Sequence, residues 1–339
     1  MPQPDLTTAS NPEAADTPAA RMVRRILKDD PQAPSTLTRL VAKAQQSGRE
    51  AEAATIIETA AAAPGRTALF HTYLGLALEA LGRGHAAEAA YRRALALDGD
   101  FFQAHMALAR IRMPGPSYYA VLEQIHALVR PRVYVEIGVD SGRSLALAGG
   151  SELAIGVDPA PQLSVPLPPC ARVLEATSDD ALAGPAFPAL LDGRRVDMAF
   201  IDGLHTFDQA LRDFVNLERL AAPGAIYLFH DVVPLDPETA DRQRRTTFWS
   251  GDTWKVLLCL CRYRPDLGLA VIPASPTGLG VVVGLDPANT RIAGQFSAIV
   301  AEGMAAGFAE GVGECTAGIP VIPNDPEAIR DALADLRGR

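Results

Sequence analysis

An apolar run, Val196-Asp197-Met198-Ala199-Phe200-Ile201, ends abruptly in Asp202-Gly203-Leu204-His205. A run of this kind reads as a buried strand of a parallel sheet, with polar groups just past its carboxyl end. Open α/β sheets hold their ligands there. Asp202 is placed to act as a hard oxygen ligand or a cofactor contact, and His205 as a base. A later run, Ala225 to Asp231, ends in a second such pair, His230 and Asp231. A third group is the turn Glu136-Ile137-Gly138-Val139-Asp140-Ser141-Gly142. Its glycines let the backbone approach a ligand closely. The spacing E-x-G-x-x-x-G is not the G-x-G-x-x-G of dinucleotide-binding turns. Asp158 closes the next apolar run, 22 residues after Glu136. An acid at that point can accept hydrogen bonds from both hydroxyls of a ribose. Glu136 is placed to balance positive charge on a ligand's amino group.

These groups need a frame, and the surrounding pattern supplies one. Ser117 to Val129 reads as an amphipathic helix with Tyr118, Val121, Leu122, Ile125 and Val129 on one face. Strands are expected at Arg132–Gly138, Leu153–Asp158, Arg172–Thr177, Val196–Asp202, Ala225–Asp231, Gly268–Ile272 and Leu279–Leu285. Helices are expected between them at Phe207–Ala221 and Asp252–Tyr263. Such alternation specifies a doubly wound α/β sheet with right-handed crossovers. The basic, aromatic stretch from Asp241 to Trp254 follows the fifth strand. Its arginines either form a lid that grips an anionic or sugar-like molecule or belong to a solvated turn. Trp254 itself is expected in the core. Past Pro287, residues 288–339 read as a C-terminal helical extension with one helix, Ile292 to Phe308.

The front of the chain carries a different signal. Leu40, Leu74 and Leu108 recur at a spacing of 34, as do Leu37, His71 and His105. Ala53 and Ala87, Ile57 and Tyr91, and Ala60 and Ala94 repeat at the same interval, and Gly65 and Gly99 close each unit. A period of 34 with small residues at fixed helical offsets marks paired-helix repeats. Such stacks are binding or dimerisation surfaces rather than catalysts. Met113-Pro114-Gly115-Pro116 breaks the pattern, and the domain boundary is placed there. Residues 21–113 form the repeat domain, and residues 1–20, rich in Pro, Ala, Thr and Asp, read as disordered.

Composition narrows the function. The chain has 339 residues and a net charge of −9, which argues against a nucleic-acid partner. Its four cysteines form no C-x-x-C pair, so neither a zinc site nor a disulfide framework is indicated. The start lacks a signal peptide's pattern and no apolar run suffices to span a bilayer, so a cytoplasmic protein is expected.

Taken together, Glu136 to Gly142, Asp158, Phe200-Ile201-Asp202-Gly203-Leu204-His205, Ala222-Pro223-Gly224-Ala225 and Phe229-His230-Asp231 resemble class I S-adenosylmethionine-dependent methyltransferases. The likeness covers residues 117–287. It is strongest to the branch with F-I-D-G-x-H after strand four, which includes metal-dependent sugar O-methyltransferases. The resemblance implies a Rossmann-like methyltransferase sheet in which Glu136, Gly138, Gly142 and Asp158 hold S-adenosylmethionine. It implies that Ser178 and Asp179 meet the adenine side. It further implies Asp202 and Asp231 as ligands of a divalent cation, with His205 as catalytic base beside Asp202. The residue before the second acid is commonly acidic in that branch and is His230 here; it would join the shell, where it tolerates Mn²⁺ or a softer ion, or face away. The unit Ala68–Phe101 resembles a tetratricopeptide repeat, with Gly99 in place of the usual Pro, and Ser35–Thr67 is a weaker copy. The repeats would serve a protein partner or self-association.

The implied activity is O-methylation of a small-molecule or saccharide hydroxyl. Two alternatives stand beside it. One is a tetratricopeptide interaction protein with a non-catalytic methyltransferase fold. The other is a cephalosporin-hydroxylase-like enzyme on the same scaffold. Sugar, polyketide, lipid-linked saccharide and phenolic hydroxyls all fit the motifs, because fold and cofactor motifs pass freely between acceptors.

Overall fold

The computed structural model describes residues 18–28, 35–62, 66–308 and 318–337. Residues 1–17 and Gly65 therefore lie outside the described part. The chain divides into two compact units between Leu108 and Ala109.

The first unit is helical: α1 (Pro18–Lys28), α2 (Ser35–Ser47), α3 (Glu50–Ala61), α4 (Ala68–Ala80) and α5 (Gly84–Leu97). The next helix, α6 (Phe102–Arg112), runs through the division. Helix α1 thus begins inside the segment expected to be disordered. The residues spaced by one repeat face inward: Ala53 and Ala87, Ile57 and Tyr91, Ala60 and Ala94, and Leu74 and Leu108 are all buried. Helices α4 and α5 approach closely because Gly75 has no side chain; a Cβ there would overlap the Tyr91 ring. The Tyr91 hydroxyl in turn donates to Glu79 Oε2 at 2.9 Å, so the buried ring keeps a polar partner.

The second unit opens with α7 (Tyr118–Val129), followed by β1 (Val133–Ile137), β2 (Leu153–Val157) and β3 (Ala171–Leu174). Then come α8 (Ser178–Ala183), α9 (Ala186–Leu191), β4 (Val196–Ile201), α10 (Phe207–Glu218) and β5 (Ala221–His230). The chain continues through α11 (Lys255–Tyr263), β6 (Gly268–Ile272), β7 (Leu279–Val283), α12 (Arg291–Gly294), α13 (Phe296–Ala305) and α14 (Pro326–Arg337). The seven strands form one sheet in the order β3-β2-β1-β4-β5-β7-β6. Strands β1 to β5 are parallel, and β7 runs antiparallel to both β5 and β6. The order reverses between β1 and β4, so the ligand crevice of such a sheet falls past the carboxyl ends of those two strands.

Side chains alternate across the sheet. On one face Val135, Ala199, Tyr227 and Phe229 join Phe207, Leu211 and Phe214 of α10 in one core. On the other, Tyr134, Met198, Phe200 and Leu228 meet Val121, Leu122 and Ile125 of α7. Beside the antiparallel edge, buried Arg264 reaches both Glu218 oxygens at 2.8 and 2.7 Å. It also pairs with Asp266 at 2.8 Å.

Several boundaries differ from expectation for local reasons. Strand β5 starts at Ala221 because Ala221 pairs with Val196, across a register shift before Met198. Strand β3 stops at Leu174, and Thr177, expected in the strand, accepts from the Asp180 N–H at 3.1 Å and caps α8. The expected helix Ile292–Phe308 is two helices separated at Gln295, whose backbone is not helical (φ −127°, ψ 17°). Helix α14 was not expected; Asp325 Oδ1 accepts from the Glu327 and Ala328 amides at 3.0 and 3.1 Å and starts it. No helix among the described residues is long and apolar enough to cross a membrane.

Candidate active site

The crevice between β1 and β4 opens on a cavity of about 370 Å³. Gly138, Asp158, Ser178 and Asp179 line it, together with Thr177, Gly203, Leu204 and Gln209. That volume lies within the range of small-molecule sites. Gly138 has φ 89°, and a Cβ there would overlap the Asp202 carbonyl oxygen. Only glycine lets β1 pass β4 so closely. Asp158 Oδ2 accepts from the Val139 and Asp140 amides, both at 2.9 Å, and Oδ1 from the Ala160 amide at 2.8 Å. Its first task is therefore to tie the glycine turn to the end of β2.

Two expected cofactor residues stand apart from this cavity. Gly142 (φ 79°) faces Leu163 and Leu167 and closes the turn through its N–H to Val139 O at 2.8 Å. Glu136 is fully buried within β1, where the Tyr134 and Ser144 hydroxyls donate to its two oxygens at 2.6 and 2.8 Å. Burial pushes its carboxyl up to about 8, against the pull of those two hydrogen bonds.

Beyond the carboxyl ends of β4 and β5, Asp202, His205 and Asp231 bring three ligand-type atoms within 4.8 Å of one another. His205 Nδ1 lies 2.9 Å from Asp231 Oδ2, and Nε2 lies 3.4 Å from Asp202 Oδ1. Nδ1 is 3.2 Å from the Trp249 carbonyl, which can only accept, so Nδ1 carries a proton. The Trp249 indole stacks on the imidazole with ring centroids 5.4 Å apart. Both His205 (φ 57°) and Asp231 (φ 61°) have left-handed backbone.

His230 has a different place from the one expected of a metal ligand. Its Nδ1 meets Asp202 Oδ1 at 3.2 Å and its Nε2 meets Thr277 Oγ1 at 3.2 Å. Both nitrogens are committed, and the Tyr118 ring covers the imidazole at 4.2 Å. His230 thus braces Asp202 from behind, and the three-residue cluster holds His205 in its stead. The charges balance as two acids against two imidazoles. Burial alone would depress His205, but the Asp231 and Asp202 carboxylates outweigh it and hold its pKa well above the ordinary range. His230 is likewise raised, to about 10, against its burial. Asp231 is buried and Asp202 half-buried, yet the histidines keep both below their usual value.

The loop from Asp241 to Trp254 reaches this cluster through Trp249 and through Gly251, where a Cβ would overlap the His205 carbonyl oxygen. Trp254 is buried in the core, as its expected packing requires. Arg242 pairs with Asp208 at 2.7 Å, and Arg245 pairs with Asp241 at 3.1 Å. Gln209, Trp249, Tyr118 and Thr277 were not singled out as site residues. Gln209 lies on the cavity side of α10, four residues past His205, and that offset could have found it. The others arrive from distant segments with no local signal. A second cavity, about 380 Å³ between α11 and α13, is lined by Phe207, Lys255, Cys259 and Gly303 among others, and by none of the expected site residues.

Residues 135–232 match a family model described as a methyltransferase domain. The matched segment runs from within β1 to just past β5 and leaves out Tyr118, Tyr134, Trp249 and Thr277 of the site residues above. The comparison with curated proteins found no match. Among solved structures, the chain is similar to an O-methyltransferase from Bacillus cereus in complex with SAH, at 15% identity and a TM-score of 0.36, covering 52% of this chain and 84% of that one. It is also similar to the O-methyltransferase TomG from Streptomyces achromogenes, involved in tomaymycin synthesis and in complex with SAM, at 15% identity and a TM-score of 0.38. That alignment covers 59% of this chain and 88% of the other. The sheet order makes the second unit a Rossmann-like α/β domain, and its segment from β1 to just past β5 is similar to the methyltransferase-domain model.

Proposed function

We propose that residues 117–287 form an S-adenosylmethionine-dependent methyltransferase acting on a hydroxyl of a small molecule or saccharide, assisted by Mg²⁺ or Mn²⁺. The observation that carries this reading is the meeting of two half-sites at one switch point. The cavity beside Gly138 adjoins the Asp202–His205–Asp231 cluster through Gly203 and Leu204. The residues fit the cofactor: a glycine without room for a Cβ, and an acid after β2 whose Oδ1 keeps one lone pair for a ribose hydroxyl while Oδ2 is spent on the glycine turn. They also fit a cation, with the buried Asp231 carboxylate and the half-buried Asp202 carboxylate facing one another. Asp231 Oδ2 makes no aligned hydrogen bond despite its ion pair with His205.

S-adenosylmethionine supplies an activated methyl group, so the protein's work is alignment and proton removal. Gly138 and Asp158 would hold the ribose side and Ser178 and Asp179 the adenine side. Glu136 would bear on the amino group from beneath the turn. Asp202 and Asp231 would hold the cation and orient the acceptor hydroxyl. His205, its Nδ1 held by the Trp249 carbonyl, would accept the proton at Nε2 once a cation on Asp202 and Asp231 offsets the carboxylate charge that otherwise keeps the ring protonated. The helical unit fits recruitment of a protein partner; α2 and α4 line an apolar groove with Leu37, Val41, Tyr73 and Leu76.

Calorimetric titration with S-adenosylmethionine, with and without Mg²⁺ or Mn²⁺, tests the reading. Micromolar binding, roughly −8 kcal/mol, is expected, and turnover of a hydroxylated acceptor is expected to fall on chelation and return with either metal. No binding under any of these conditions overturns it in favour of a non-catalytic fold.

A further inference from the structure

Gln209 stands at the centre of a hydrogen-bond cluster on the cavity wall. Its Nε2 is 3.1 Å from Ser178 Oγ, 3.2 Å from Asp179 Oδ1 and 3.0 Å from Asp213 Oδ1. A side-chain amide has one donor end and one acceptor end. Two of the three neighbours are carboxylates, so the donor end must face them; the reverse orientation would set oxygen against oxygen. Asp213 anchors the arrangement, being buried on α10 one turn beyond Gln209. With the nitrogen held to the wall, Oε1 is left over, and it makes no hydrogen bond among the described residues.

Gln209 and Asp179 both line the cavity. The second Asp179 oxygen is only loosely engaged, 3.8 Å from Arg212 Nε. This stretch of wall therefore offers a ligand acceptors. Acceptors favour a group that donates, such as a ring amine, and disfavour a ring carbonyl, whose lone pairs would face theirs.

We infer that Gln209 is a specificity-determining residue that, with Asp179, selects an amino-substituted purine over its oxo-substituted analogue. The inference rests on the S-adenosylmethionine reading and adds to it the residue that reads the base.

The test uses the full chain and two probes, S-adenosylhomocysteine and S-inosylhomocysteine, measured by calorimetry. The unaltered protein is expected to bind the adenosyl compound about tenfold more tightly or better, the scale of one or two hydrogen bonds. Gln209→Met keeps the length of the side chain and removes Oε1. It is expected to cut that preference to within about threefold, chiefly by weakening the adenosyl compound. Gln209→Ala carries the same test should the methionine variant unfold, with thermal unfolding recorded for each. Equal weakening of both compounds overturns the inference and makes Gln209 a wall brace. An unchanged preference overturns it as well, while leaving the cofactor reading intact. If the unaltered protein binds neither compound, the cofactor reading falls and this inference falls with it.

Discussion

His205 is held by contacts of three kinds: ion pairs to Asp231 and Asp202, a carbonyl acceptor at Trp249, and the indole face of the same residue. A histidine so fixed presents one nitrogen to the crevice. His205→Asn preserves the left-handed backbone, which asparagine tolerates. Turnover is expected to fall by about 10²- to 10⁴-fold, the usual worth of a general base. S-adenosylmethionine affinity is expected to stay within about threefold, since the ring does not line the cofactor cavity. Initial rates and calorimetry check both; a rate within tenfold of the parent assigns the base elsewhere. The meeting of Asp202, His205 and Asp231 was legible in the sequence because all three lie within four residues of the end of an apolar run. The place of His230 was not, because Thr277, which takes its second nitrogen, lies 47 residues away on the turn before β7. Nor was the closed network around Glu136, which depends on Ser144 turning back under β1.

Elements with a strong apolar run were readable to within a few residues, and β1, β2, β4, β6 and β7 fall where expected. What was lost lay at element ends, where a side chain chooses between strand and cap. Thr177 is one such residue. Asp325 is another: an Asp before a Pro and a Glu is a helix-start signal that was present and passed over. Helix α7 offers a test at this scale. It packs His126 edge-on against Tyr134 of β1 at 4.6 Å, and burial pushes the imidazole down to about 4. The folded state thus prefers neutral His126, while the unfolded chain takes up a proton near 6.5. Stability is full above that value and is lost as pH falls through the window from 6.5 to 4. The loss amounts to about 2 kcal/mol between pH 7 and pH 5. His126→Phe keeps the ring contact and is expected to abolish that share of the acid sensitivity, read from urea denaturation at the two pH values.

On the scale of the whole second unit, the antiparallel edge is locked by one buried cation. Arg264 joins the end of α11 to Glu218 at the end of α10 and to Asp266 before β6. The Asp286 amide also donates to Glu218, at 3.2 Å. Arg264→Ala leaves Glu218 buried without its counter-charge and is expected to cost about 3–5 kcal/mol of stability. The double change Arg264→Met with Glu218→Gln is expected to recover most of it, measured by urea denaturation. A recovery of less than half would mean that the packing of the arginine, not its charge, holds the edge. The 34-residue period foretold which faces of the front helices turn inward, because small and bulky residues alternate at helical spacing. The division of the chain at Leu108 was not legible, since α6 continues through it without a break.

Among the described residues, five other than glycine carry left-handed backbone: Arg130, Asp140, Asp192, His205 and Asp231. Each conformation costs about 1–2 kcal/mol that glycine would not incur. Two of the five, Arg130 and Asp192, merely end helices. Two others, His205 and Asp231, belong to the candidate centre. Heat selection and activity selection would therefore pull apart at 205 and 231 while agreeing at 130 and 192. A laboratory lineage bred only to survive heating should acquire glycine at all four positions. A lineage required also to turn over should refuse it at the two beside the crevice, and that divergence would mark the centre without any knowledge of its substrate.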